Sequence, residues 1–249
     1  VNKMKINLFE PHIDKSEEKA VLNVLRKKFW ASGSGIGHVR KFEKEFKKFV
    51  GSDETIAVNS GTSALNIAVS LLDVKGKEVI IPSLSFISTA NCVLMNGGKP
   101  VFADINPDTL CIEPETIAKL ITKKTRAVIP VHFGGMPCNI EKILDTSNKC
   151  GIKVIEDAAH AAGASYNKNK IGGHGFAVCF SFHPVKNLAM PTGGLIAIND
   201  KNHKKIRNLI QAKRWCGIEN RKDDSYEINE LGDNYYMNEF SAIIGIEQL

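Results

Sequence analysis

The middle of the chain alternates short apolar runs with segments of helical period. The runs are rich in β-branched residues and are predicted as strands over residues 55–60, 78–83, 99–105, 125–133, 152–158, 177–183 and 194–199. Helices are predicted between most of them, over residues 63–72, 86–96, 114–121 and 139–150. This alternation predicts an α/β fold with a mostly parallel sheet and helices on both faces. The last two runs are too close for a crossover helix, so one of them is expected to be antiparallel.

Helical periodicity also flanks this core. Further helices are predicted over 15–28, 38–49, 201–213 and from about 237, with a polar loop over 219–234. Ser16, which two glutamates follow, is the expected N-cap of the first helix. The pattern divides the chain into an N-terminal helical segment (1–50), a large α/β domain (51–235) and the start of a last helix (236–249). That helix has no glycine or proline stop signal before Leu249.

Composition narrows the class of protein. The 249 residues are 43% hydrophobic and 24% charged, as in an ordinary globular domain. The net charge of +6 is spread over several helices, which does not favour nucleic-acid binding and fits anionic small molecules. No apolar run reaches the roughly 18 to 20 residues that cross a membrane. The six cysteines form no C-x-x-C pair and the opening residues do not read as a signal peptide, so a cytoplasmic location is expected.

A metal site is not predicted. His174, Cys179 and His183 lie close together along the chain, but they lack the usual spacing of metal ligands. We expect them to be packing residues or polar groups of a loop. The candidate chemistry lies elsewhere, at the ends of the predicted strands.

In an open parallel sheet, ligands bind beyond the carboxyl ends of the strands. The first predicted strand is followed by Ser60, Gly61, Thr62 and Ser63, which open a helix. Free N–H groups and the positive end of the helix dipole suit a phosphate at this turn, although a simple helix cap would also explain the residues. Neither glycine fingerprint of nucleotide-binding loops is present, so a single phosphate is favoured over a dinucleotide.

Three more strand ends carry candidates. Asp157 leaves an apolar strand, with His160 three residues later, and it either caps a helix or holds a ring nitrogen protonated, as pyridoxal phosphate chemistry requires. Phe86 lies at a strand-to-helix turn, either in the core or stacked on a flat ring. Lys186 lies in a loop between two buried strands, either as a surface cation or as an amine that forms a Schiff base. Their order along the chain describes a pyridoxal phosphate site.

At these residues the chain resembles the DegT/DnrJ/EryC1/StrS family of nucleotide-sugar aminotransferases, which are pyridoxal phosphate enzymes of fold type I. The resemblance spans nearly the whole chain and includes several independent motifs. The matching stretches are FEKEFKKFVG, AVNSGTSALNIAV, IIPSLSFISTAN, GGKPVFADINPDT, AVIPVHFGGMPCNIE, VIEDAAHAAGA, FSFHPVKNLAMPTGG and NYYMNEFSAIIGIEQL.

The resemblance implies a role for each candidate. Lys186 would bind pyridoxal 5′-phosphate covalently and then move the proton, while Asp157 pairs with the ring nitrogen and Phe86 stacks on the ring. His160 would lie near the ring hydroxyl. The resemblance implies a homodimer whose subunits share each active site, with the phosphate held by Gly61, Thr62, Ser63 and Ser181 of one subunit and by Asn234 of the other.

The resemblance also implies the reaction. An amino acid, by family habit glutamate, would convert the cofactor to pyridoxamine phosphate, which then aminates a keto group of a nucleotide-linked deoxysugar for surface polysaccharide or secondary-metabolite synthesis. Two features depart from the family pattern: Tyr236 stands where arginine is usual, and the small C-terminal domain of the family is expected to be missing after Leu249.

Three alternatives remain at this point. The chain could be a non-catalytic cofactor-binding homologue or regulator, or a nucleotide-binding α/β domain. It could also be a related sugar dehydratase that uses pyridoxamine phosphate. Family members of that last kind carry histidine in place of the reactive lysine, so Lys186 argues against it.

Overall fold

A computed structural model describes Asn7 and residues 9–249 of the chain. Residues 1–6 and residue 8 of the predicted N-terminal segment lie outside the described part. The α-helices of that part are α1 (Lys15–Lys27), α2 (His38–Val50), α3 (Gly61–Ser70), α4 (Ser88–Met95), α5 (Pro114–Leu120), α6 (Ile140–Lys149), α7 (His203–Lys213) and α8 (Glu239–Gln248). Its strands are β1 (Glu54–Val58), β2 (Glu78–Pro82), β3 (Lys99–Ala103), β4 (Thr125–Val128), β5 (Lys153–Asp157), β6 (Ser165–Tyr166), β7 (Asn169–Lys170), β8 (Ala177–Ser181), β9 (Gly194–Ile198), β10 (Ile218–Glu219) and β11 (Glu227–Ile228).

The seven predicted strands form one sheet in the order β1-β9-β8-β5-β4-β2-β3. Strand β9 is antiparallel to both of its neighbours, and the remaining pairs are parallel. The predicted α/β fold is therefore confirmed, including the one antiparallel strand. No helix within the described residues combines the length and the apolar content that a bilayer crossing demands.

Helices cover both faces of the sheet, because successive side chains of each buried strand point to opposite sides. One face packs against α3, α4 and α7. The other face packs against α2 and α8 over the half that contains β1, β9 and β8. Over the rest of the sheet, α5 and α6 cover that same face. Buried phenylalanines of α2 and β8 meet edge to face, with Phe46 and Phe180 ring centroids 5.0 Å apart.

A buried ion cluster covers the edge strand β1. Glu43 of α2 accepts the Ala57 N–H (3.0 Å), and Arg214 donates to the Ala57 carbonyl (2.8 Å). Arg207 donates in the same way to the Thr55 carbonyl (3.0 Å). Glu43 also pairs with Arg214 at 2.8 Å and with Arg207 at 2.9 Å. Side chains thus satisfy the outward N–H and C=O groups that an edge strand exposes.

The prediction for the first helix cap was wrong. Asp14, and not Ser16, is the N-cap of α1: its carboxylate accepts the Ser16 N–H at 2.6 Å. The Glu17 carboxylate accepts the Asp14 N–H at 3.0 Å, which completes a capping box that Ser16 could not form with Glu17 as its immediate neighbour.

Short strand pairs were also missed. The predicted polar loop 219–234 contains β11, which pairs with β10, and a β6–β7 hairpin turns at Asn167 and Lys168 with positive φ at both residues. Each of these strands is two residues long, which is too short to produce a hydrophobic period.

Candidate active site

A cavity of about 310 Å³ lies where the carboxyl ends of β1, β2, β5 and β8 meet. This is the edge of a parallel sheet at which ligands are expected to bind. Seven of the predicted site residues line it: Gly61, Thr62, Phe86, Asp157, His160, Ser181 and Lys186. Residues from four separate strand ends therefore converge on one space.

The turn after β1 both caps a helix and faces the cavity. The Ser60 hydroxyl accepts the Ser63 N–H at 3.1 Å, and the Ser63 hydroxyl accepts the Ser60 N–H at 3.1 Å. Ser63 is thus engaged in the cap and does not line the cavity. Gly61 and Thr62 form the first turn of α3 and do line it, so the positive end of the helix dipole is directed toward the cavity. The cap and the phosphate interpretations are compatible.

Two glycines allow this turn to pack directly on the sheet. A Cβ atom on Gly61 would lie 2.7 Å from Ser181 Cβ, and one on Gly194 would lie 2.2 Å from the Ser60 carbonyl oxygen. Only a residue without a side chain fits at these two points. The close approach brings Ser181, at the end of β8, beside the start of α3.

The start of α4 adds hydroxyl groups to the same region. Ser88 Oγ lies 2.8 Å from Thr62 Oγ1, and Ser88 lines the cavity. The first turns of α3 and α4 are therefore joined by a hydrogen bond between side chains.

Asp157 ends β5 with its carboxylate held in place, and its residue surface is 4% exposed. One carboxylate oxygen accepts the Ala159 N–H at 3.1 Å, and the other accepts the Thr89 hydroxyl at 2.8 Å. These two donors offset part of the cost of burying the charge. The carboxylate lines the cavity with its position fixed from two sides.

The neighbouring carboxylate, Glu156, has a different environment. Its Oε2 lies 2.8 Å from His132 Nε2, and both side chains are fully buried. His132 Nδ1 accepts the Cys138 N–H at 3.0 Å, so the ring proton is on Nε2 and points to Glu156. Gly175 N–H donates to the other Glu156 oxygen. Glu156 does not line the cavity, which leaves Asp157 as the carboxylate of the site.

Lys186 is held by a well-connected loop between β8 and β9. Its N–H donates to the His183 carbonyl at 2.8 Å, and the Phe182 backbone bonds to both Met190 and Gly193. The Asn187 amide donates to the Ala162 carbonyl and ties the loop to the segment after Asp157. Burial lowers the pKa of Lys186, although the charge of Asp157 opposes the shift. More of the amine is therefore neutral and nucleophilic than in a surface lysine.

His160 faces Lys186 with a defined tautomer. Its Nδ1 accepts the Gly134 N–H at 3.2 Å, which leaves the ring proton of the neutral form on Nε2. Burial lowers the pKa of His160, and the charge of Lys186 lowers it further, which together outweigh the opposing charge of Asp157. Together these effects favour a neutral imidazole with one N–H to donate.

Phe86 lies at the rim of the cavity and does not pack in the core, since 72% of its surface is exposed. The core interpretation of this aromatic is therefore excluded. An exposed ring at the mouth of a cavity is available to stack on a flat ligand.

Asn234 does not line this cavity. Its backbone carbonyl accepts a hydrogen bond from the Asn59 side-chain amide at 3.2 Å, next to the turn that begins at Ser60. Its predicted contact with the phosphate of a neighbouring subunit stays a prediction. Tyr236, which stands where the family usually has arginine, is also absent from the lining.

The sequence interpretation missed several polar groups at or near the site. They are Ser85, Ser88, Thr89, His183 and Thr192. Ser85 and Thr89 are four residues apart, but Ser85 precedes α4, so no helical period links them in the sequence. Among the described residues, no three His, Cys, Asp or Glu side chains are placed as a metal site requires.

The donor groups fit pyridoxal phosphate. A helix N-terminus and hydroxyl groups suit a phosphate, a buried carboxylate suits a protonated ring nitrogen, and an amine with a lowered pKa suits an aldehyde. The sheet has the architecture of pyridoxal phosphate enzymes of fold type I, and the cavity lies at the sheet edge where ligands of such folds bind. Residues 11–249 match the DegT/DnrJ/EryC1/StrS aminotransferase family, and the chain belongs to it.

Relatives support the same assignment. The spore coat polysaccharide biosynthesis protein SpsC of Bacillus subtilis is 38% identical over 245 residues, which cover 96% of this chain and 62% of SpsC. Helicobacter pylori PseC, an aminotransferase involved in the biosynthesis of pseudoaminic acid, superposes with a TM-score of 0.90 at 30% identity, covering 98% of this chain and 65% of PseC.

A further solved structure shares the fold over nearly the whole chain. Spr1654 of Streptococcus pneumoniae, solved with pyridoxal phosphate, shares the fold at 24% identity and a TM-score of 0.91, over 98% of this chain and 66% of that protein. The chain spans slightly less than two thirds of the length of each of these three proteins.

Proposed function

We propose that this protein is a pyridoxal phosphate-dependent aminotransferase that moves an amino group from an amino acid, by family habit glutamate, to a keto group of a nucleotide-linked deoxysugar. The observation that carries the proposal is the convergence of Lys186, Asp157 and the start of α3 on one cavity. The relatives support a sugar substrate, since SpsC and PseC are named for polysaccharide and pseudoaminic acid biosynthesis.

The residues of this chain would hold the cofactor at three points. Thr62 and Ser181, with the first-turn amides of α3, would bind the phosphate. Asp157 would pair with the ring nitrogen, and Phe86 would cover one face of the ring. When bound, pyridoxal phosphate withdraws electrons from the reacting carbon of the amino substrate.

The chain itself supplies the proton transfers. Lys186, with its lowered pKa, would accept the proton from the carbon that bears the donor amino group, and it would supply a proton to the substrate carbon when the keto-sugar is aminated. His160, whose Nδ1 accepts the Gly134 N–H and whose pKa is lowered, would keep its Nε2 proton as a hydrogen-bond donor for the cofactor. The Ala159 amide and Thr89 keep Asp157 in place throughout.

We propose further that the active protein is a homodimer in the cytoplasm. Asn234 would complete the phosphate site of the partner subunit, which agrees with its position outside the cavity of its own subunit. All six cysteines are free thiols, which suits a reducing compartment.

The test is turnover. The complete gene product is incubated with pyridoxal phosphate, glutamate and a panel of nucleotide-linked keto-sugars, and products are identified by mass spectrometry. We expect one amino-sugar nucleotide from the wild type, none from Lys186→Ala, and normal turnover from Lys170→Ala as the matched lysine control. Equal amination by wild type and Lys186→Ala would contradict the mechanism. Cofactor uptake without any turnover would favour a non-catalytic homologue, and loss of a hydroxyl group without amination would indicate a dehydratase.

A further inference from the structure

Three side chains form a line of hydrogen bonds from the cavity to the end of β5. Ser85 lines the cavity, and its Oγ lies 2.6 Å from Thr89 Oγ1. Thr89 Oγ1 lies 2.8 Å from Asp157 Oδ2. Thr89 is fully buried, and it links α4 to a residue 68 positions further along the chain.

The chemistry of these groups fixes the direction of both bonds. A carboxylate only accepts hydrogen bonds, so the single Thr89 proton points to Asp157. Thr89 must then accept the proton of Ser85. A threonine within a helix often bonds to a carbonyl of the preceding turn instead, and here the Asp157 carboxylate takes the place of that carbonyl.

The same turn of the chain also carries the aromatic residue of the site. The Thr89 N–H donates to the Phe86 carbonyl at 3.1 Å. One turn at the start of α4 therefore positions the ring at the cavity rim and fixes the Asp157 carboxylate below it.

We propose that Thr89 is a positioning residue that holds Asp157 in the orientation that meets the ring nitrogen of the cofactor, and that Ser85 holds Thr89 in its donating rotamer. The inference rests on the proposed function, because it assigns the partner of Asp157 in the same site. Without the Thr89 hydroxyl, Asp157 Oδ2 has no donor among the described residues and the carboxylate is free to turn away from the cavity.

The experiment compares Thr89→Val, which has the same shape without the donor, with Thr89→Ser, which keeps it. Cofactor affinity and the visible spectrum of the bound cofactor are measured by titrating pyridoxal phosphate into each cofactor-free protein. We expect Thr89→Val to weaken binding about tenfold and to shift the spectrum, as loss of a hydrogen bond to a charged group predicts, and Thr89→Ser to stay within about twofold of wild type. Circular dichroism confirms that each variant is folded, and Ser85→Ala, with an expected loss of about threefold, serves if Thr89→Val does not fold.

A double-mutant cycle with Asp157→Asn separates positioning from general packing. If Thr89 acts through Asp157, Thr89→Val weakens binding less than about twofold further in the Asp157→Asn protein. The same tenfold loss in both backgrounds, or wild-type affinity and spectrum for Thr89→Val, would overturn the inference.

Failure of the proposed function gives a different result. If the wild type takes up no pyridoxal phosphate, the proposed function is wrong. Crystal structures of the cofactor-free proteins then still test whether Thr89 positions Asp157. Those structures are expected to show Asp157 rotated in Thr89→Val and unchanged in Thr89→Ser. An unmoved Asp157 in Thr89→Val would overturn the inference on its own.

Discussion

Glu43→Gln tests how the edge strand β1, which leads to the turn at Ser60, is stabilised. Glu43 is fully buried and accepts four hydrogen bonds, from the Ala57 N–H and from three arginines. The glutamine has nearly the same shape, but it removes the charge and presents an NH2 group to guanidinium donors. Glu43 lies on α2, and its replacement affects the contacts that α2 makes with the outer edge of β1.

The size of the destabilisation depends on which arginines lose their only carboxylate partner. Arg207 keeps a second partner, Glu54, at 2.9 Å. Arg40 has an exposed side-chain fraction of 36% and can be hydrated. Arg214 is fully buried, and its Nε and Nη2 already have no hydrogen-bond partner among the described residues. Breaking a buried pair by removing one charge costs about 3 to 5 kcal/mol, and we expect about 3 kcal/mol because only Arg214 is left wholly uncompensated.

The assay is urea unfolding followed by circular dichroism, with Glu45→Gln as the control. Glu45 lies on the same helix and pairs with Lys41 at 3.7 Å on the exposed surface, so its loss is expected to cost less than about 1 kcal/mol. If Glu43→Gln destabilises the protein no more than Glu45→Gln does, the ion cluster does not stabilise the edge strand and the reasoning is refuted.

The pH dependence gives a second check on the same variant. Burial alone would raise the pKa of Glu43, but the charges of Arg214 and Arg207 outweigh it and lower the pKa below its ordinary value of 4.5. The stabilisation by the charged form is therefore present above pH 4.5 and is lost as the pH falls through the lowered pKa. We expect the stability gap between wild type and Glu43→Gln to shrink in acid, and a gap that stays constant would contradict the assignment.

Three further predictions concern the site and its surroundings. Burial lowers the pKa of Lys186 from 10.5, so between the lowered value and 10.5 the unfolded chain binds more protons than the folded protein, and wild-type stability rises with pH in that range. Lys186→Met should unfold at a higher urea concentration at neutral pH and should lose this rise. A Lys186→Met protein that is less stable than wild type would contradict the prediction. Gly194→Ala should lower the free energy of unfolding by about 3 kcal/mol and weaken cofactor binding, because the new Cβ would overlap the Ser60 backbone. Urea unfolding measures the change, and a variant as stable as wild type would show that the turn is not packed as described. Burial and the charge of Asp157 raise the pKa of Cys92 to about 12, so a maleimide at pH 8 should label the exposed Cys150 and spare Cys92 in the folded protein. Peptide mass mapping measures the two labelling yields, and equal yields would contradict the burial of Cys92.

Local patterns predicted most of the fold because the core strands are nearly continuous apolar runs. Strand β8 is predicted at 177–183 and found at Ala177–Ser181, and α2 is predicted at 38–49 and found at His38–Val50. Asp157 and Lys186 could be placed at the same sheet edge because the carboxyl ends of parallel strands lie together. The cavity brings these two residues together as the pattern suggested.

The missed features depend on contacts between distant parts of the chain. Glu43 lies in the charged segment FEKEFKKF, which has the composition of a solvated helix face, and only its pairing with Arg214, 171 residues away, shows it to be buried. Thr89 has the sequence context of an ordinary helix residue, and its bond to Asp157 appears only when α4 packs beside β5. Polar groups that are buried in pairs carry no local period, so each partner must be located in space before its role is evident.

The most direct test of the central claim is the site of covalent attachment. The protein is incubated with pyridoxal phosphate, reduced with borohydride, digested and mapped by mass spectrometry, with Lys186→Ala and Lys170→Ala as controls. We predict a single modified lysine, Lys186, in the wild type and in Lys170→Ala, and no modification of comparable yield in Lys186→Ala. Stoichiometric modification of any other lysine, or none at all in a folded protein, would contradict the assignment of this cavity as the cofactor site.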